Sequence, residues 1–400
     1  MNVLENTLEK IQLTSENGLL FCNRLNEARH ISERYYIQEK SRDEKFKPTA
    51  ILFRRKHEQN KVINSKPVLY IYEKENSFFN SKAHKELHAK IWSAGEIELY
   101  FIVSNTRIDI INARKPAEIQ DNKLDVQNLR LVSEAIEQFN DQRFSAIVFG
   151  KGTFWEQEDF YHPQKDDNFY NNQLKEENTP FHQLLEYLMI VRKHLHDNQK
   201  HFSPETIDKL LIVSILIKFL EEIKDDHGTH TLKEIYKKHL IKDFAMALEA
   251  GKCLSILNAL GSEFRPDNNG NIFDSFSDEE RGKIAGTEFL LVAQFLRATL
   301  DLSTGQYFLW GQYSFNYLPV ELISAIYERF LSREERGVVY TPPFLVNFLI
   351  DEVMPLNKAE IYFPKNKFKV LDPSCGSGVF LVAAYKRMLE WWSINDYYEN

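Results

Sequence analysis

The stretch "FKVLDPSCGSGVFLVAAYKRMLEWW", residues 368–392, passes from a short apolar run to a helical pattern across two glycines one residue apart. Few backbones can turn from strand to helix so quickly. The turn needs positions that tolerate positive φ, and Gly376 and Gly378 provide them without a Cβ penalty. The run through Val370 and Leu371 predicts a short strand, and the residues after Gly378 predict a helix. A strand, a glycine loop and a helix form the opening unit of a doubly wound α/β sheet, which binds ligands beyond its strands' carboxyl ends. Just upstream, "YTPPFLVNFLIDEVMP" predicts a helix to about Met354, with Thr341 as its cap and Pro342 at its first position.

The residues around the glycines narrow the ligand. A dinucleotide fingerprint needs a third glycine where Leu381 stands, so a nicotinamide oxidoreductase is the weaker reading. A pyrophosphate is also poorly served by a neighbouring carboxylate. Asp372 suits a ligand with a positive amino group, toward which it would act as a charge-assisted acceptor. S-adenosylmethionine, with an ammonium and a sulfonium, is such a ligand.

The first third alternates extended and helical patterns. "TAILFRRK" and "PVLYIYEKE" predict strands, and "SKAHKELHAKIWSAG" predicts an amphipathic helix with Ala83, Leu87 and Ile91 on one face and a glycine stop. "LYFIVSNTRIDIINARKP" predicts a hairpin turning at Ser104–Thr106. Residues 154–179 are polar and predict a linker or a long surface loop. From Phe181 to about Phe330, apolar residues recur at three- and four-residue spacing. The fold class expected is therefore α/β and multi-domain: an α+β N-terminal domain over 1–160, an all-helical domain over 180–330, and the start of a Rossmann-like domain over 331–400.

Composition excludes several classes. Three distant cysteines, Cys22, Cys253 and Cys375, give neither a disulfide framework nor a zinc spacing. No apolar run reaches the ~18 residues of a membrane span, so a soluble, cytoplasmic chain is expected. The net charge of −8 argues against binding DNA by surface charge alone. The densest cationic patch, Tyr35 to Lys66, holds nine Lys and Arg against four Asp and Glu, and reads as a solvated face.

"VLDPSCGSGVFL" resembles motif I of the DNA adenine-N6 methyltransferases of restriction–modification systems, and "RGVVYTPPFLVNFLIDEV" resembles the element that precedes it. "YLPVELISAIYERFL" and "LHAKIWSAGEIELYFIVSNTRIDIINARKP" are similar to segments of the long Eco57I-like, type IIG-like methylases. The resemblance implies a site-specific enzyme that moves a methyl group from S-adenosylmethionine to adenine in double-stranded DNA. It implies that Asp372, Pro373, Ser374, Cys375, Gly376 and Gly378 cradle the methionine part of the cofactor. Tyr340, Thr341 and Pro342 would close over it. A specificity or restriction subunit is an expected partner, and a membrane is not. The family's Asn/Asp-Pro-Pro-Tyr/Phe segment, which receives the flipped base, does not occur in these 400 residues. No catalytic residue is therefore assigned. The chain is expected to be the N-terminal portion of a longer enzyme and inactive by itself.

Other constellations carry less. An N-terminal nuclease would need carboxylates on adjacent strands and a lysine two residues after one of them. Glu73 and Glu75 flank Lys74 at the wrong spacing, with Asp43 or Glu44 as an upstream carboxylate, so a degenerate nuclease-like unit or a bifunctional endonuclease-methylase is an alternative. His194, His196 and His201, and His227 with His230, lie in polar segments and read as solvated surface. The aromatic cluster "YFLWGQYSFNYLP" reads as core, with base stacking the other option. A further alternative is a non-catalytic helical fragment that serves in assembly or DNA recognition.

Overall fold

A computed structural model describes residues 3–59, 61–120, 123–151, 180–222, 230, 232–264, 273, 275–297, 326, 341, 343–356, 369–376 and 378–399. These group as two compact units, one of residues 1–180 with 336–400 and the other of 181–335. The polar stretch 154–179 and the cluster "YFLWGQYSFNYLP" lie outside the described residues.

The first unit is built on a mixed six-stranded sheet. Strands β1 (Leu19–Phe21), β2 (Ala50–Glu58), β3 (Lys61–Glu73), β4 (Leu99–Val103), β5 (Arg107–Asn112) and β8 (Arg130–Ala135) lie in the order β1-β2-β3-β4-β5-β8. A small ribbon, β6 (Glu118–Gln120) with β7 (Lys123–Asp125), stands apart from it. Only β3 and β4 are parallel, since helix α3 (Lys82–Ala94) carries the chain back between them. Ser81 caps α3 by accepting from His84 N, and Gly95 ends it with φ 62°. The expected hairpin is β4–β5, paired antiparallel from Leu99↔Asn112 to Val103↔Ile108.

Both faces of the sheet are covered, which explains why β4 is apolar and buried at every residue. Leu52, Leu69, Ile71, Phe101 and Ile110 point to one side, where Leu4 and Leu8 of α1 (Val3–Lys10) and Phe149 of α4 (Ala146–Lys151) pack. Ile51, Phe53, Tyr70, Tyr100 and Ile102 point to the other, against Ile37 of α2 (Ile31–Ser41) and Leu87 and Ile91 of α3. Period-two alternation thus divides each strand between two cores.

Buried polar groups lock this arrangement. Glu33 on α2 is fully buried and accepts from Arg55 Nε at 2.6 Å, Ser65 Oγ at 2.8 Å and Arg29 N at 2.8 Å. Burial alone would raise its pKa, yet the Arg55 guanidinium and the other donors hold it below the usual carboxylate value. Removing Arg55 would leave a buried charge unpaired, at a cost of roughly 3–5 kcal/mol.

A second network has a defined proton order. Asn80 N donates to His84 Nδ1 at 3.1 Å, so Nε2 of His84 carries its proton and donates to the Tyr100 hydroxyl at 3.2 Å. Tyr100 then donates to His88 Nδ1 at 3.0 Å, and His88 Nε2 donates to the Lys115 carbonyl at 2.8 Å. His84, Tyr100 and His88 are buried, and both imidazoles must be neutral for the chain to close.

Among its described residues, the second unit forms helices α5 (Pro180–Asn198), α6 (Pro204–Glu222), α7 (Lys233–Lys238), α8 (Phe244–Glu249), α9 (Cys253–Phe264), α10 (Asp278–Ile284) and α11 (Leu290–Arg297). One continuous core includes Leu188, Leu211, Phe244, Leu257 and Phe295. Arg192 donates to both oxygens of Asp208 at 2.6 Å, fastening α5 to α6.

Burial lowers the pKa of His84 to about 3 and of His88 to about 4, both below the ordinary value of 6.5. Unfolded imidazoles therefore bind protons first as pH falls, and the stability present above pH 6.5 is lost on the way to pH 4. The urea midpoint of the first unit is expected to drop across that window by the equivalent of roughly 1–3 kcal/mol. His88→Gln is expected to flatten the drop. An equal pH slope in wild type and His88→Gln contradicts the neutral-imidazole assignment.

Candidate functional site

Two helices follow the described sequence-predicted site residues, Thr341 lying just before the first and Asp372–Gly376 and Gly378 just before the second. The first is α12 (Pro343–Val353); Pro342, the expected first helical position, lies outside the described residues. The second, α13 (Val379–Glu399), starts directly after Gly378. Val346 packs with Val379 and Ala383 near the helix starts, while Met354 packs with Ala384 and Trp391 farther along. Trp391 Nε1 donates to the Pro355 carbonyl at 3.2 Å. This order of contacts makes the helices parallel neighbours, with both N-terminal ends on one side.

The glycine loop lies at that side. Gly376 has φ 50° and Gly378 has φ 81°, and among the described residues, chain neighbours aside, no atom stands within 4 Å of where a Cβ would be at either. Backbone conformation, not crowding, is what requires glycine there. Gly378 N donates to the Cys375 carbonyl at 2.6 Å and Gly378 O accepts from Val382 N at 2.9 Å, so the second glycine closes the loop and opens the helix. Asp372 accepts from Ser374 N at 3.1 Å, a short Asx-type turn that aims the carboxylate along the loop. Pro373, Ser374, Cys375 and Gly376 are exposed, and Asp372, Gly378 and Thr341 are half-buried. Tyr340, Pro342 and Ser377 lie outside the described residues.

A cleft of about 450 Å³ opens beside the loop, lined by Leu349, Val353, Leu371, Asp372, Phe380 and Ala384 among others. Its walls are mostly apolar and its charged lining residues are Asp372 and Lys369, the composition of a small-molecule site. The expected strand is absent over 369–372, which runs irregularly with Leu371 at 86% exposure. A strand needs a paired neighbour, and among the described residues none lies beside this segment.

The chemistry available is recognition of a small zwitterion. The N-terminal ends of both helices lie on one side and carry the partial positive charge of helix starts, suited to a carboxylate. Asp372 offers the opposite charge nearby.

Residues 320–396 match the N-6 DNA methylase family. No curated protein and no solved structure matches the chain. The matched segment contains Tyr340, Thr341, Pro342 and the entire loop, and the similarity is confined to that segment.

The other constellations do not converge. Glu73 and Glu75 are exposed, Asp43 pairs with Lys90 at 2.9 Å, and Glu44 pairs with Lys47 at 3.8 Å. Among the described residues, no group of three His, Cys, Asp or Glu side chains could hold a metal ion. His194, His201 and His230 are exposed, His196 sits 3.3 Å from Asp208, and His227 lies outside the described residues. The cationic patch is largely consumed by ion pairs: Lys40 with Glu96, Lys45 with Glu86, Lys47 with Glu44, Arg55 with Glu33, Lys56 with Glu352 and Lys66 with Asp351. Among the described residues, no helix is long and apolar enough to cross a membrane.

Sequence reasoning missed the charges behind the site. Arg387 on α13 is 8% exposed and donates to Asp351 on α12 at 2.6 Å, to the Met354 carbonyl and to Glu390 at 2.7 Å. The available signal was "IDEV", two acids in a helix's last turn with no base beside them.

Because the loop glycines are needed for φ alone, Gly376→Ala and Gly378→Ala are each expected to cost about 1–2 kcal/mol in urea unfolding of the first unit. An unchanged midpoint for Gly378→Ala contradicts the left-handed turn.

Proposed function

We propose that this chain carries the S-adenosylmethionine-binding part of a DNA adenine-N6 methyltransferase of a restriction–modification system, of the Eco57I-like, type IIG-like kind. The observation that carries the reading is the open loop 372–378 at the common N-terminal end of two parallel helices, within the segment that matches the methylase family. In this reading, Asp372 faces the ammonium of the cofactor's methionine part. Backbone at Pro373, Ser374, Cys375, Gly376 and Gly378 lines the same part, close enough because neither glycine has a side chain. The helix ends favour its carboxylate. Thr341, with Tyr340 and Pro342, closes the site from the start of α12. Bound there, S-adenosylmethionine supplies an activated methyl group, and the acceptor is an adenine amino group in double-stranded DNA. Base extrusion needs aromatic stacking and amide acceptors, which the absent Asn/Asp-Pro-Pro-aromatic segment would provide.

Calorimetric titration of the 400-residue chain with S-adenosylmethionine tests the proposal. Saturable binding is expected, weakened at least about tenfold by Asp372→Ala, the scale of a lost charge-assisted hydrogen bond. No labelled methyl group should reach duplex DNA from this chain by itself. Absence of binding, or equal affinity in Asp372→Ala, overturns the reading.

A further inference from the structure

The loop's supporting helices are held by a part of the chain that the proposed reaction does not use. Beyond β1, which pairs only with residues 50–52, β2 and β3 continue as a two-stranded ribbon. Arg54 stands opposite Lys66 on this ribbon, and Lys56 opposite Asn64. Lys56 Nζ reaches Glu352 at 2.8 Å, and Lys66 pairs with Asp351. Both acids sit at the carboxyl end of α12, where the helix dipole disfavours them without added cations. Asp351 passes the connection on to Arg387 at 2.6 Å, and Arg387 also binds the Met354 carbonyl, which ends α12. Ile31 and Tyr35 of α2 pack beside Met354, Leu356, Trp391 and Ile394.

These contacts gather at the carboxyl end of α12 and the middle of α13. The N-terminal ends of both helices, with the loop between them, project from this fixed base. We infer that Lys66, Asp351 and Arg387 are positioning residues: a brace through which the N-terminal sheet sets the spacing of α12 and α13 and thereby the geometry of loop 372–378. That the loop serves S-adenosylmethionine rests on the proposed function; the brace itself does not.

Lys66 is the residue to change, because its side chain is 44% exposed and the sheet core does not depend on it. Amide hydrogen exchange is followed at residues 378–384 in the full 400-residue chain, beside a cofactor titration and a urea midpoint. In Lys66→Met, exchange is expected to quicken and S-adenosylmethionine affinity to fall, each about fivefold, the scale of one partly screened ion pair. The global midpoint should stay put, and Lys66→Arg should restore both readouts. Exchange at 378–384 that is identical in wild type and Lys66→Met overturns the brace, whatever the titration gives. Faster exchange rescued by arginine, in a wild type that does not bind the cofactor, supports the brace and removes the function proposed for the loop.

Discussion

The carboxyl end of α12 carries Asp351 and Glu352 where the helix already presents partial negative charge. Cations from three other elements make that end tenable: Lys56 from β2, Lys66 from β3 and Arg387 from α13. Exposed pairs of this kind contribute under ~1 kcal/mol each. Arg387 is different, because it is buried. Burial opposes its charge, but Glu390 and Asp351 hold its pKa above the ordinary value. Glu390 is displaced the opposite way to a simple ion pair: burial, with like charge from Glu39 and Asp351, raises its pKa despite Arg387. The network therefore fixes geometry more than it adds stability.

Geometry is what the loop requires. Two helices with their positive ends together can favour an anion only if the ends stay adjacent. The apolar contacts of Val346 with Val379 and Ala383 hold them near the loop, and the ionic contacts hold them at the far end. The chain's overall charge of −8 gives no general pull on phosphates or carboxylates, so any such affinity must be local. The family match and this local arrangement fall on the same residues.

Much of this was legible in the sequence because it follows from short-range rules. Runs rich in β-branched and aromatic residues predicted strands within β2 and β3, the glycine stop marked the end of α3, and Ser104–Thr106 marked the β4–β5 turn. The glycines announced their positive φ. What stayed hidden depends on partners distant in sequence. Nothing local pairs Glu33 with Arg55, or threads a proton chain from His84 through Tyr100 to His88. The pairing of Lys66 with Asp351 spans most of the chain. The strand expected through Val370 and Leu371 erred for the same reason: local propensity was right for a strand, but pairing decides. The cationic run from Tyr35 to Lys66 likewise shows its meaning only once its partners are seen.

Loop 372–378, at the joined ends of α12 and α13, is the S-adenosylmethionine site we propose. Amide hydrogen exchange of the wild-type chain with and without saturating S-adenosylmethionine tests it most directly. The account requires slowed exchange concentrated at residues 374–382 and 343–347, with the β-sheet of the first unit unchanged. Protection that appears elsewhere and spares both segments would contradict it.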